Sequence, residues 1–231
     1  MDFTRAFTYI FDDRQWTEKL VITTVVAILA IIPLLGLVAV AALLGYTVEL
    51  VQNMRSGNPS PLPRWDNFGE KIALGGNVLV AIIVYNLPNL LLLCCFISIP
   101  LMSGAGRNDF FAGTFTVGLV CCLLPLLLIY NLLTFPMLGL GIIRYSEARE
   151  VGVFFQFGDL FATINEQLGV FGQWMLFSFL VSIAFGFLNT IPCIGWVASL
   201  ALTTPVYGHL LGQLALGLKD KRKGKPKRYN V

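Results

Sequence analysis

The chain has 231 residues, 56% of them hydrophobic and only 13% charged, with a formal net charge of +3 and a mean hydropathy of +0.76. Soluble domains carry roughly 25% charged residues and need polar cover for their surface, so this composition excludes an ordinary soluble fold. It points to an integral membrane protein with apolar runs long enough for a ~30 Å hydrocarbon core. The N-terminus does not read as a cleavable signal, because Asp2, Asp12, Asp13 and Glu18 interrupt it before the first apolar run and a signal n-region is basic. The five cysteines do not read as a secreted disulfide framework, since Cys94, Cys95, Cys121 and Cys122 all lie inside apolar runs.

In chain order, Phe3, Phe7, Ile10 and Phe11 fall at i, i+4, i+7 and i+8, the spacing of one face of an amphipathic helix. An apolar run from Leu20 to Ile32 stops at Pro33, turns to Gly36, and resumes from Leu37 to Val51. Proline ends a helix and glycine permits reversal, so the pair reads as a tight helical hairpin. The stretch "LPRWDNFGEK" follows, from Leu62 to Lys71. Its Trp65 and Phe68 suit the headgroup zone, and Pro61 and Pro63 keep the entry extended so that a short interfacial helix starts at Trp65.

A longer hairpin comes next: Ile72 to Met102 with Pro88 and Pro100 inside, then Thr114 to Ile143 with Pro125 and Pro136. The segment "FFQFGDLFATI", with Phe154 and Phe157, precedes a third hairpin. Its arms are Val170 to Thr190 and Trp196 to Leu218, and its tip carries Pro192 and Gly195. The expected fold is an all-α membrane protein with six transmembrane helices in three hairpins and amphipathic interfacial segments in front of the hairpins. Residues 1–218 form one membrane domain. Phe68-Gly69-Glu70 and Phe157-Gly158-Asp159, each with an aromatic three residues before it at Trp65 and Phe154, suggest a three-unit parallel repeat over 1–60, 61–143 and 144–218. Residues 219–231 form a basic tail, expected to be disordered in isolation.

Charge sets the orientation. With six crossings, every Lys and Arg except Arg107 falls on one side, and the positive-inside rule then places both termini in the cytoplasm of a cell whose plasma membrane the chain spans. The arms of the first hairpin are about 15 residues each, below the usual ~20 for a span. A re-entrant first hairpin, returning to the same face, fits the charge count equally well.

Several of these residues also carry a resemblance. Phe3, Ala6, Phe7, Tyr9 and Phe11, then Pro33 and Gly36, Gly45-Tyr46, the Leu62-Pro63-x-Trp65-Asp66-x-Phe68-Gly69 stretch, and Ile83 to Pro88 resemble the uncharacterised prokaryotic family called domain of unknown function 4013. The resemblance implies a multi-pass membrane protein of bacteria and archaea. It implies no activity, substrate or catalytic residue.

The residues offer little for catalysis. The one histidine is His209, read as a packing residue beside the helix-packing pattern Gly208-x-x-x-Gly212. No Ser-His-Asp set, HExxH motif or paired intramembrane carboxylate is present, so the chain is not read as an enzyme. Adjacent cysteines point about 100° apart on a helix and chelate poorly, so neither a metal nor any cofactor is expected. Tyr85, Asn86, Tyr130 and Asn131 repeat "YNL" on the two proline-containing middle helices and are the candidate intramembrane polar residues. The tail suits anionic lipid headgroups, and nucleic acid is disfavoured as a partner. Two functions follow as expectations. The first is a non-enzymatic membrane organiser that binds lipids, a protein partner or its own copies through the interfacial aromatics and the tail. The alternative is a transporter or channel for a small or lipid-like solute that uses the middle helices.

Overall fold

The structure, a computed structural model, describes the backbone of residues 1–103 and 109–223, and side chains except over 95–117, 119–120, 122 and 219–223. The described residues form eight α-helices and two short 3-10 turns, with no strand. Arg107 and the last residues of the tail lie outside the described residues.

Helix α1 (Arg5–Thr8) and the 3-10 turn Tyr9–Asp12 lead into α2 (Trp16–Leu29). The carboxylate of Asp13 accepts the amide of Gln15 at 2.8 Å, an Asx-type turn that starts α2. Pro33 follows its end. At 14 residues, α2 is about 21 Å long, well short of a ~30 Å core. Helix α3 (Leu35–Arg55) completes the first hairpin. The second hairpin pairs α4 (Phe68–Ser103) with α5 (Asp109–Ala148). These helices of 36 and 40 residues are about 54 and 60 Å long, and they run through Pro88, Pro125 and Pro136 without a break. A 3-10 turn (Val151–Phe155) and α6 (Phe157–Glu166) connect to α7 (Leu168–Leu188) and α8 (Ile194–Lys223).

Against the six spans expected, five helices among the described residues are long and apolar enough to cross a membrane: Leu35–Arg55, Phe68–Cys94, Leu123–Ala148, Leu168–Leu188 and Ile194–Leu218. The arm not among them is α2, whose 14 residues run between the Asp13 turn and Pro33. Helix α8 continues to Lys223, five residues into the segment assigned to the tail. No helix starts at Trp65. The chain stays non-helical from Asn58 to Asn67 and becomes helical at Phe68.

Helices α3 and α8 are central. Each packs against α2 and α5, α3 also against α4, and α8 also against α1 and α7. The anticipated glycine pair sits at the α3–α8 contact: a Cβ at Gly208 would come within 2.7 Å of Leu50, and one at Gly212 within 2.2 Å of Met54. The α3–α4 contact is closer still. A Cβ at Gly45 would lie 1.9 Å from the carbonyl oxygen of Lys71, and one at Gly75 would lie 1.7 Å from that of Ala41. Only hydrogen at these positions lets the two backbones meet.

The two outer hairpins end in the same turn. Leu35 donates its amide to Pro33 O at 2.8 Å, and Ile194 donates to Pro192 O at 2.8 Å. The residue between has positive φ, 66° at Leu34 and 63° at Cys193. This is the rare, strained γ-turn. Gly36 and Gly195 serve by clearance rather than by reversing the chain: a Cβ at either would strike the carbonyl oxygen of Ala30 (2.4 Å) or Leu188 (1.9 Å). Both tips are apolar and bare, with Ile31 at 73% exposure, Leu34 at 84% and Ile194 at 77%.

Candidate functional site

Two polar regions emerge, one at the charged end of the bundle and one inside its apolar half. At the charged end, Lys19 Nζ lies 2.6 Å from Asp13 Oδ2 and also donates to Leu62 O at 2.7 Å. Ser60 Oγ donates to the same Asp13 oxygen at 2.6 Å. Both side chains of the pair are buried. Burial pushes the Asp13 carboxyl pKa up, but hydrogen bonds from Lys19, Ser60 and the Gln15 amide outweigh it and hold the group below its ordinary value. The "LPRWDNFGEK" loop is thus tied to α2 by its first carbonyl. Lys71 pairs with Glu49, Arg55 pairs with Glu147, and Arg149 donates to Gln52 at 2.6 Å. These pairs gather the ends of α3, α4 and α5. Around Asp13 and Lys19 is a polar cavity of about 680 Å³, walled by Arg14, Glu49, Arg64 and Asp66 among others. Its mixed signs give no single-charge recognition surface.

The aromatic residues expected at the interface divide. Trp65 is 7% exposed, stacks on Tyr46 at 5.1 Å, and donates its Nε1 to Thr23 at 3.0 Å. It plugs the junction of α2, α3 and α4. Phe154 is fully buried and accompanies Tyr145 at 5.5 Å. Phe3 and Phe7 are part-buried and meet α7 at Phe177 (5.7 Å) and Phe185 (6.3 Å). Phe11, Phe68 and Phe157 are exposed. The N-terminus is fastened to α8: Asp2 N donates to Gln213 Oε1 at 2.7 Å, and Tyr9 OH donates to Pro205 O at 2.9 Å. Burial raises the Tyr9 phenol pKa well above its ordinary value, with nearby Tyr46 adding to it, so it stays a donor. His209 is buried at 4%, stacked on Tyr9 at 4.0 Å, with Nδ1 3.2 Å from Gln213 Nε2.

Within the apolar half, Tyr85, Asn86, Tyr130 and Asn131 do come together. Tyr130 OH donates to Tyr85 O at 2.6 Å, and Tyr85 OH donates to Phe154 O at 2.7 Å. Asn131 exchanges hydrogen bonds with Asn89 at 3.0 and 3.1 Å, and Asn89 donates to Asn86 Oδ1 at 3.0 Å. Tyr85, Asn86 and Asn131 line one wall of a cavity of about 810 Å³, whose other wall comes from α7 and α8. That second wall supplies polar groups the sequence reading missed. Ser182 Oγ and Tyr207 OH lie 2.6 Å apart, Tyr207 OH lies 3.3 Å from Ser178 O, and Ser178 Oγ is buried without a partner. The signal was present as Ser178 and Ser182 one helical turn apart in an otherwise apolar stretch. No group of three His, Cys, Asp or Glu placed to hold a metal occurs among the described residues. Cys94, Cys121 and Cys193 are exposed thiols, and the side chains of Cys95 and Cys122 lie outside the described residues.

A family model described as protein of unknown function (DUF4013) matches residues 26–194. The chain belongs to that family. The match takes in the last turn of α2, all of α3 to α7 and the second tip, so both γ-turns, the α3–α4 glycine contact and all of the cavity lining but Tyr207 fall inside it. No curated protein and no solved structure matches the chain.

Proposed function

We propose that this DUF4013 protein is a non-enzymatic membrane organiser. In this reading it crosses the plasma membrane with α4–α5 and wedges two shorter hairpins, α2–α3 and α7–α8, into the cytoplasmic leaflet. One observation carries the reading. Gly45 meets the backbone of Lys71, and Gly75 meets Ala41, which fixes the register of α3 against α4. From Gly45 to its first residue Leu35, α3 has ten residues left, about 15 Å, whereas α4 runs on from Gly75 to Ser103 for about 42 Å. Lys71 is the last charge on α4, so it marks the membrane surface, and the first tip then sits near mid-bilayer. The bare apolar tip supports the same depth, since Ile31 and Leu34 in external water would each lose the favourable burial of an apolar side chain. On α8, the tip residue Ile194 is about 21 Å from Gly208, which abuts Leu50.

All Lys and Arg outside Arg107 stay on one side in this arrangement too, so the positive-inside rule still favours cytoplasmic termini. Extra protein volume in one leaflet favours curved membrane, and the basic tail adds attraction to anionic headgroups. The test has two parts. With the other cysteines replaced, an impermeant maleimide should fail to reach Cys193, or a Leu34→Cys thiol, from either face of sealed vesicles, while Ser56→Cys reacts from the cytoplasmic face. Labelling of either tip from outside would mean a full crossing. Reconstituted protein should then enrich in small, highly curved vesicles over large ones; equal density in both would overturn the organiser role. A second reading, transport of a lipid-like solute, is favoured by the Asn86–Asn131 cavity and is tested by lipid or solute flux in the same proteoliposomes.

A further inference from the structure

The geometry points to the cavity between α5 and the α7–α8 hairpin as a binding site for one uncharged amphiphile, a hydrocarbon chain ending in a neutral hydrogen-bonding group such as a hydroxyl. The inference does not depend on how deep the short hairpins sit. The cavity's volume, about 810 Å³, is that of a small-molecule site. Its rim is apolar and bare, with Leu128, Leu132, Leu176 and Phe179 all exposed in helices apolar enough to span a membrane. It therefore opens sideways to hydrocarbon, and a ligand enters from the bilayer.

The lining also specifies the polar end of the ligand. No Asp, Glu, Lys or Arg lines the cavity. A carboxylate, phosphate or ammonium would be desolvated there with no opposite charge, at a cost that exceeds any gain. The polar groups are neutral and lie on both walls: Tyr85, Asn86, Asn131 and Thr134 on α4 and α5, and Ser178, Ser182 and Tyr207 on α7 and α8. Ser182 and Tyr207 hydrogen-bond to one another. The two hydroxyls share one donor between them and keep acceptor lone pairs free. A ligand hydroxyl donates to those lone pairs at the cavity wall, whereas the Ser178 Oγ is closed off from the cavity.

The test uses the full chain in lipid nanodiscs with two photoactivatable probes, a diazirine-bearing long-chain alcohol and the matching carboxylate. The alcohol should label α5 between Leu128 and Leu138 and α7 between Met175 and Ser182, saturably, and several-fold more than the carboxylate. The double variant Ser182→Ala with Tyr207→Phe should lower capture several-fold. Met175→Trp, which fills the cavity, should abolish capture; Leu132→Trp at the rim does the same from the opposite wall if the first variant misfolds. Equal labelling by both probes would overturn the proposal. So would labelling of the bare α2–α3 tip as heavy as that of the cavity, or capture indifferent to both filling variants.

Discussion

At the tip of α2–α3, Leu35 donates to Pro33 O across Leu34; at the tip of α7–α8, Ile194 donates to Pro192 O across Cys193, at the same 2.8 Å. Below these matching turns the two hairpins diverge. The first is sealed: α3 meets α4 backbone to backbone at Gly45 and Gly75, Trp65 fills the junction with α2, and a buried ion pair fastens the loop that follows. The second stands off from α5 and leaves a cavity with polar groups on both walls. A tip set by five residues of local chemistry is thus compatible with opposite kinds of wall. The wall, not the tip, is where the two hairpins acquire different roles.

The strongest way to break this contrast is to put a side chain where the first hairpin has none. In Gly75→Ala the new Cβ would sit 1.7 Å from Ala41 O, and backbone cannot give way as a flexible side chain does. The loss should exceed the ~1–3 kcal/mol of ordinary overpacking and show as loss of the folded peak that the wild-type chain gives in size-exclusion chromatography. On the second hairpin, Gly172→Ala and Gly186→Ala meet nothing within 4 Å and should leave the melting temperature unchanged or slightly raised, since alanine is the better helix former. Equal damage on both hairpins would remove the distinction between a sealed wall and an open one.

Next in size is the ion pair. Asp13→Asn leaves the Lys19 ammonium buried without its counter-charge and should cost about 3–5 kcal/mol. The double variant Asp13→Asn with Lys19→Met should recover a large part of that, because it removes both charges together. The pH dependence has a definite direction. Asp13 titrates lower in the folded protein than its ordinary value, so its contribution is complete above the unfolded carboxyl value of about 3.9 and is lost as pH falls through the folded value. Thermal unfolding in detergent should therefore hold steady from neutral pH to about pH 4 with respect to this group and fall below it. Asp13→Asn should lack that part of the fall.

Much of this frame was legible in the sequence because it rests on runs and punctuation: apolar stretches, Pro33 and Pro192 at the tips, and Gly208 and Gly212 four apart on α8. Tyr85, Asn86, Tyr130 and Asn131 stood out because polar residues inside apolar runs are few, and hydrogen bonds join them across α4 and α5. What was not legible depended on pairing at a distance. Composition assigns Trp65 and Phe154 to a lipid interface. Their burial is decided by Thr23 and Tyr46 for the one and by Tyr145 for the other, many residues away. Lys19 looks like an anchoring charge until Asp13, Ser60 and the Leu62 carbonyl surround it. The wall formed by Ser178, Ser182 and Tyr207 becomes a site only when α7–α8 faces α5.

The smallest expected effect tests whether the two tips are equivalent. Positive φ costs a side-chain-bearing residue roughly 1–2 kcal/mol, and Leu34 and Cys193 bear it with φ of 66° and 63°. Glycine carries no such penalty but loses more freedom on folding, about 0.5–1 kcal/mol. Leu34→Gly and Cys193→Gly should each therefore stabilise by under about 1 kcal/mol, and by the same amount, because both side chains are bare and give up no packing within the protein. Gly36→Ala and Gly195→Ala should move the other way, against the carbonyls of Ala30 and Leu188. If the glycine substitutions shift the melting temperature of only one hairpin, the two γ-turns differ in strain. The shared tip would then be a likeness of hydrogen bonding alone, and the contrast between the hairpins would begin at the turn rather than at the wall.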